Sequence, residues 1–114
     1  MSLPTEGKLL RVFIGESDRW EGRPLYEAIV LEARKRGLAG ATVTKGVMGF
    51  GAHSRIHTAK LLELSQDLPM VIEIVDAPEK IEAFMPDLER MVGDGLITIE
   101  RAEVLLYRSR PSTP

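Results

Sequence analysis

Twice along this chain a segment of alternating apolar residues gives way to one with helical spacing, and that repetition constrains the fold more than any other feature. In KLLRVFIG (8–15), Leu10, Val12 and Ile14 fall on one face, and Leu9, Arg11 and Phe13 on the other, which is the period of a strand. From Leu25 the spacing lengthens. Leu25, Ala28, Ile29 and Ala33 form one stripe, with Tyr26 and Val30 as a second ridge one turn apart. Pro24 suits the first turn of this helix, and Gly37 suits its C′ position behind the cationic last turn of Arg34, Lys35 and Arg36. The second cycle begins with MVIEIV (70–75), punctuated by Asp76-Ala77-Pro78. Ile81, Phe84, Met85, Leu88, Met91 and Val92 then recur at i, i+3, i+4, i+7, i+10 and i+11. Pro86 inside that run predicts a kink or a restart, and Gly93-Asp94-Gly95 predicts the stop.

Two further strands complete the pattern. Thr42, Val43, Thr44 and Val47 mark one within 40–49, and LITIERAEVLLYR supplies the last. The predicted order is βαββαβ, with strands near 8–15, 40–49, 69–75 and 102–108. Right-handed crossovers then favour an α+β, ferredoxin-like fold: a four-stranded antiparallel sheet with both helices on one face. A chain of 114 residues fits one such domain over 1–114, with a core of about 8–108 and a tail at 109–114, and buries roughly two-thirds of its unfolded surface. The uncovered sheet face would carry Leu9, Phe13, Val71 and Val75. Burial against copies of the chain is the expected remedy, so a homo-oligomer is predicted.

Fifteen Lys and Arg against seventeen Asp and Glu give a net charge of −2, which argues against a dedicated nucleic-acid binder. Without cysteine there is no disulfide framework, thiolate nucleophile or Cys-ligated zinc. No apolar run approaches the ~20 residues needed to insert into a bilayer. The opening MSLPTEGK has no apolar core of a secretory signal, so a cytoplasmic protein is expected.

The chemistry-bearing residues cluster in three places. The stretch GVMGFGAHSRIHTAK (46–60) opens an interval of about twenty residues, 50–68, where a hairpin normally needs two to five. Strand-like character around Ile56 to Leu64 suggests a bent hairpin arm, and its length suggests a working one. His53 and His57 stand at i, i+4, a spacing that binds metal on a helix, but the glycine-rich context and the lack of a third ligand favour solvated histidines. Gly46, Gly49 and Gly51 spell neither GxGxxG nor a Walker A loop. With Lys45, Arg55 and Lys60, the turn Gly93-Asp94-Gly95, and Arg108 and Arg110 behind the last strand, they do offer the backbone N–H groups and fixed cations that a phosphate needs. Glu16, Asp18 and Glu21 crowd one loop. Paired carboxylates for acid–base work are one reading, and helix capping by Ser17 or Asp18 is the favoured one. Trp20 in the same loop is either a lid on the core or part of a binding surface.

The segments LRVFIGESDRWEGRPLYEAIVLEARKRGLAGATV, GVMGFGAHSRIHTAKLLELSQDLPMVIEIVDAPEKIEAF and GDGLITIE carry a resemblance. Across nearly the whole chain, from Leu10 to Arg108, it resembles the PII-like signalling proteins, long treated as a conserved domain of unknown function. The resemblance implies a ferredoxin-like subunit, usually a homotrimer, with nucleotides in clefts between subunits. It places Gly49, Phe50 and Gly51 at the strand–loop junction near the nucleotide, and Gly93, Asp94 and Gly95 at a phosphate-facing turn. Leu96 stands where PII proteins typically carry a lysine. Arg108 and Arg110 resemble the basic end of the last strand. The arm, with His53, Ser54, Arg55, His57 and Lys60, would meet a partner, and it lacks the tyrosine at which PII proteins are modified. Relatives are often encoded beside fluoride-channel genes, which implies a membrane channel or transporter as the partner. The resulting expectation is a non-enzymatic regulator binding AMP, ADP or ATP, with no required cofactor and no metal. A small enzyme using the Glu16/Asp18 loop with His53 or His57 is the alternative, and an assembly module without a ligand is a third.

Overall fold

The computed structural model describes residues 5–51 and 67–110. Its strands are β1 (Glu6–Gly15), β2 (Arg19–Trp20), β3 (Arg23–Pro24), β4 (Thr42–Lys45), β5 (Pro69–Asp76) and β6 (Leu96–Glu103). The helices α1 (Leu25–Lys35) and α2 (Pro78–Met91) follow β3 and β5. The main sheet runs β4-β5-β1-β6, and each neighbouring pair is antiparallel. Setting the small β2–β3 hairpin aside, this is the expected ferredoxin-like βαββαβ arrangement.

The alternation read in the sequence decides which face is covered. Leu10, Val12 and Ile14 of β1 and Met70, Ile72 and Ile74 of β5 are buried beneath the helices. The helices answer with Leu25, Ala28, Ile29 and Ala33 from α1, and Ile81, Phe84, Leu88 and Met91 from α2. Each large side chain fully withdrawn from water here is worth ~1.5–3 kcal/mol of hydrophobic stabilisation.

Helix ends follow local rules. Gly37 has φ +77°, and the N–H groups of Leu38 and Gly37 bond back to the carbonyls of Ala33 and Arg34, which is a Schellman motif. The start of α1 differs from expectation. Its N-cap is Pro24 with no side-chain cap, and the Leu25 N–H donates to the backbone carbonyl of Asp18 at 2.8 Å. Helix α2 runs through Pro86 without a restart. Pro86 is exposed, so the carbonyl it leaves unbonded faces water.

The last strand lies earlier than 102–108. β6 spans Leu96–Glu103 because Phe13 to Glu6 of β1 pair with that stretch in unbroken register. Residues 104–110 form a strap without regular structure, fixed at its start by the Val104 N–H donating to the Thr5 carbonyl.

Candidate functional site

The functional residues follow from which strand ends coincide. Gly15 pairs with Pro69, Lys45 with Met70 and Phe13 with Leu96, so the end of β1, the end of β4, the start of β5 and the start of β6 share one end of the sheet. Three turns cluster there.

The first is the loop after β1. The Gly15 N–H donates to the Asp18 carboxylate at 2.9 Å, and the Ser17 N–H to the Asp67 carboxylate at 2.9 Å. Lys45 Nζ lies 2.7 Å from the Glu16 carboxylate. Glu16 and Asp18, two of the acidic side chains considered for acid–base chemistry, therefore have structural partners; His53 and His57 lie outside the described residues.

The second turn follows β4. The Gly46 N–H donates to the Pro69 carbonyl at 2.7 Å, and a Cβ at Gly46 would stand 2.6 Å from Pro69 Cγ. Gly49 faces the same ring at 3.0 Å, whereas Gly51 meets nothing within 4 Å. Glycine is required where the chain presses on the proline, and packing makes no such demand at Gly51. Val47, Met48 and Phe50 point outward, Phe50 with 69% of its surface exposed.

The third turn, Gly93-Asp94-Gly95, leads into β6. A Cβ on Gly95 would stand 2.7 Å from the Phe13 carbonyl oxygen, while Gly93 has open space around it. The structure thus brings Gly49–Gly51 and Gly93–Gly95 to the same end of the sheet but on opposite edges. With β5 and β1 between β4 and β6, three strand spacings separate them, about 14 Å.

The strap runs at the opposite end, where the Tyr107 hydroxyl donates to the Ala39 carbonyl at 2.8 Å, and Arg108 and Arg110 follow Tyr107 in the chain. Asp76, buried at that end, accepts the N–H groups of Ala39 and Ala77 at 2.8 and 2.7 Å. Between strap and sheet lies a groove of about 520 Å³ lined by Leu9, Thr42, Glu73, Val75, Leu106 and Tyr107 among others. His53, Ser54, Arg55, His57 and Lys60 lie outside the described residues. Among the described residues no three or more His, Asp or Glu side chains gather as a metal site.

The sequence reading passed over two features. On the uncovered face Arg11 donates to Glu73 at 2.8 Å and to Glu100 at 2.6 Å. The Glu73 hydrogen bond, with the charges of both carboxylates, holds the guanidinium above its ordinary range against the opposing effect of burial. The signal was a charged residue at the middle of each of three alternating strands. The other is the β2–β3 hairpin, closed by Glu21 (φ +47°) and Gly22 (φ +84°), both left-handed. It seats Trp20 half-buried against the core, above a shallow groove with Leu31, Lys35 and Met91. That is the lid reading of Trp20.

A profile of the DUF190 family, described as an uncharacterized ACR (COG1993), matches residues 7–104. The chain belongs to the DUF190 family. This DUF190 protein is 42% identical over 98 residues to a UPF0166 protein of Aquifex aeolicus (strain VF5), covering 86% of this chain and 92% of the relative. It is 34% identical over 100 residues to the UPF0166 protein MJ1524 of Methanocaldococcus jannaschii, covering 87% and 92%. Among solved structures it is similar to CPII, a nitrogen regulatory PII-like protein of Thiomonas intermedia K12. CPII bound to ADP and bicarbonate superposes with a TM-score of 0.56 at 18% identity, covering 87% of this chain and 88% of CPII. CPII bound to ADP, AMP and acetate gives 0.56 at 17%, with the same coverage. At that identity the likeness establishes a PII-like fold for the DUF190 chain and does not assign its ligand.

Proposed function

We propose that this DUF190 protein is a non-enzymatic regulator, a single PII-like domain that assembles as a homotrimer in the cytoplasm and binds an adenine nucleotide between subunits. One observation carries the reading. The two glycine turns able to approach a ligand closely stand at the same end of the sheet on opposite edges. A single subunit holds them about 14 Å apart, whereas copies packed on their uncovered faces would set the β4 edge of one beside the β6 edge of the next. A nucleotide would then take Gly49, Phe50 and Gly51 from one subunit and Gly93, Asp94 and Gly95 from its neighbour. Arg108 and Arg110 would enter such a cleft only on the strap of an adjoining subunit. Support for the ligand class comes from CPII, solved with ADP and AMP. The 50–68 segment, with His53, Ser54, Arg55, His57 and Lys60, would report the bound state to a partner such as a membrane channel or transporter. The engaged state of Glu16 and Asp18 disfavours the enzyme alternative.

Calorimetric titration of the full chain with AMP, ADP and ATP tests the reading, together with its mass in solution. A saturable binding heat and a trimer mass are expected. Neither heat nor thermal shift with any of the three would overturn the nucleotide, and a monomer would overturn the shared cleft.

A further inference from the structure

Apart from Arg11, Glu73 and Glu100, the four main strands present only apolar side chains, threonines, glycines and a proline to the side of the sheet away from the helices. The three charged groups form one connected cluster, Arg11 lying 2.8 Å from Glu73 and 2.6 Å from Glu100. One cation faces two carboxylates, so the face carries a surplus negative charge at its centre. In the single subunit water supports that charge, since the side chains of Arg11, Glu73 and Glu100 are 36%, 36% and 57% exposed. Covering the face removes the water, and an unpaired carboxylate withdrawn from water is heavily penalised.

We propose that closure of this face against further copies of the chain is linked to proton uptake by Glu73 or Glu100, so that acidification tightens the assembly. The inference rests on the homo-oligomer proposed above and adds what regulates it. A proton on either carboxylate leaves a single ion pair with Arg11, which an interface accommodates far better. Withdrawal from water disfavours the charged form of a carboxylate, so the one that Arg11 does not neutralise would bind a proton more readily on assembly. The linked stabilisation is therefore fully present below the pKa of the free subunit and is lost as pH rises through that of the assembly.

The other charges nearby define the competing outcome. Lys8 and Arg101 project from the helix side of β1 and β6, away from the cluster. Arg108 and Arg110 follow Tyr107, which shares the strap groove with Glu73. If a neighbour's strap arginines neutralised the surplus, no proton would be taken up.

Sedimentation equilibrium of the full chain between pH 8 and 5.5, at fixed ionic strength, decides between these outcomes. The dissociation constant of the assembly is expected to fall with pH, by up to about tenfold per unit for each proton taken up. Glu100→Gln and Glu73→Gln should each assemble at pH 8 at least as tightly as the wild type does at pH 5.5, with the slope lost. Glu103→Gln, on the opposite side of β6, should keep the wild-type slope. An assembly equally tight at both pH values, or an unchanged slope in both glutamine variants at Glu73 and Glu100, would overturn the linkage alone. A monomer throughout would overturn the oligomer as well.

Discussion

The buried carboxylate of Asp76 receives the backbone N–H of Ala39, 37 residues away, at 2.8 Å. With its other oxygen on the Ala77 N–H, it ties the connection after α1 to the start of α2. Asp76→Asn replaces one acceptor with a donor facing a donor. A loss of about 1–3 kcal/mol is expected, read as a lower urea midpoint at unchanged slope.

Phe84 is the largest fully buried side chain among the described residues, 1% exposed on the inner face of α2. Phe84→Ala should cost about 3–5 kcal/mol through lost burial and the cavity left behind. Chemical denaturation measures it directly.

Pro86 interrupts the hydrogen bonding of α2 from an exposed position. Pro86→Ala restores one backbone bond and touches no core residue. It should stabilise the protein by about 1 kcal/mol or more, because proline is ~3 kcal/mol worse than alanine inside a helix and part of that returns as unfolded-chain entropy. A raised melting temperature would show it.

Gly93 and Gly95 separate folding from ligand approach. Gly95→Ala drives a Cβ to 2.7 Å from the Phe13 carbonyl and should destabilise the fold whether or not nucleotide is present. Gly93→Glu enters open space. Its melting temperature should stay near the wild-type value while nucleotide affinity falls at least tenfold. Unchanged affinity would place the ligand elsewhere.

The Lys45–Glu16 ion pair is half-exposed on the lysine side, so Glu16→Gln should change stability by less than about 1 kcal/mol. It should also leave nucleotide binding intact. A hydrolytic turnover that this change or Asp18→Asn abolished would revive the enzyme alternative.

Periodicity made the core legible wherever burial enforced it: β1, β5 and both helices stand where their apolar spacing put them. β6 did not, because two signals overlap in LITIERAEVLLYR. Ile97 and Ile99 belong to a sheet edge, whereas Leu105 and Leu106 are apolar yet exposed on the strap. Register with β1, which no local pattern encodes, decides between them. The β2–β3 hairpin escaped for a similar reason. Glu21 at a left-handed position is an unusual turn residue, and only Gly22 after it hinted at a two-residue turn. The candidate site was legible as two glycine turns, but their placement on opposite edges depends on strand order, a long-range property. Arg108 and Arg110 were expected beside them from charge and from the resemblance, but they follow Tyr107, which the strap holds at the other end.

β4 pairs through four residues where β5 and β6 each run for eight, and among the described residues it lies at the margin of the sheet with β5 as its one partner. The turn from Gly46 to Gly51 is therefore rooted in the strand of the main sheet with the shortest described pairing. Its amides should exchange with deuterated solvent well before those of β1, which is flanked on both sides. A ligand gripping Gly49–Gly51 would then act first by slowing local opening there, and exchange at Thr42–Lys45 would record occupancy without any change of shape elsewhere.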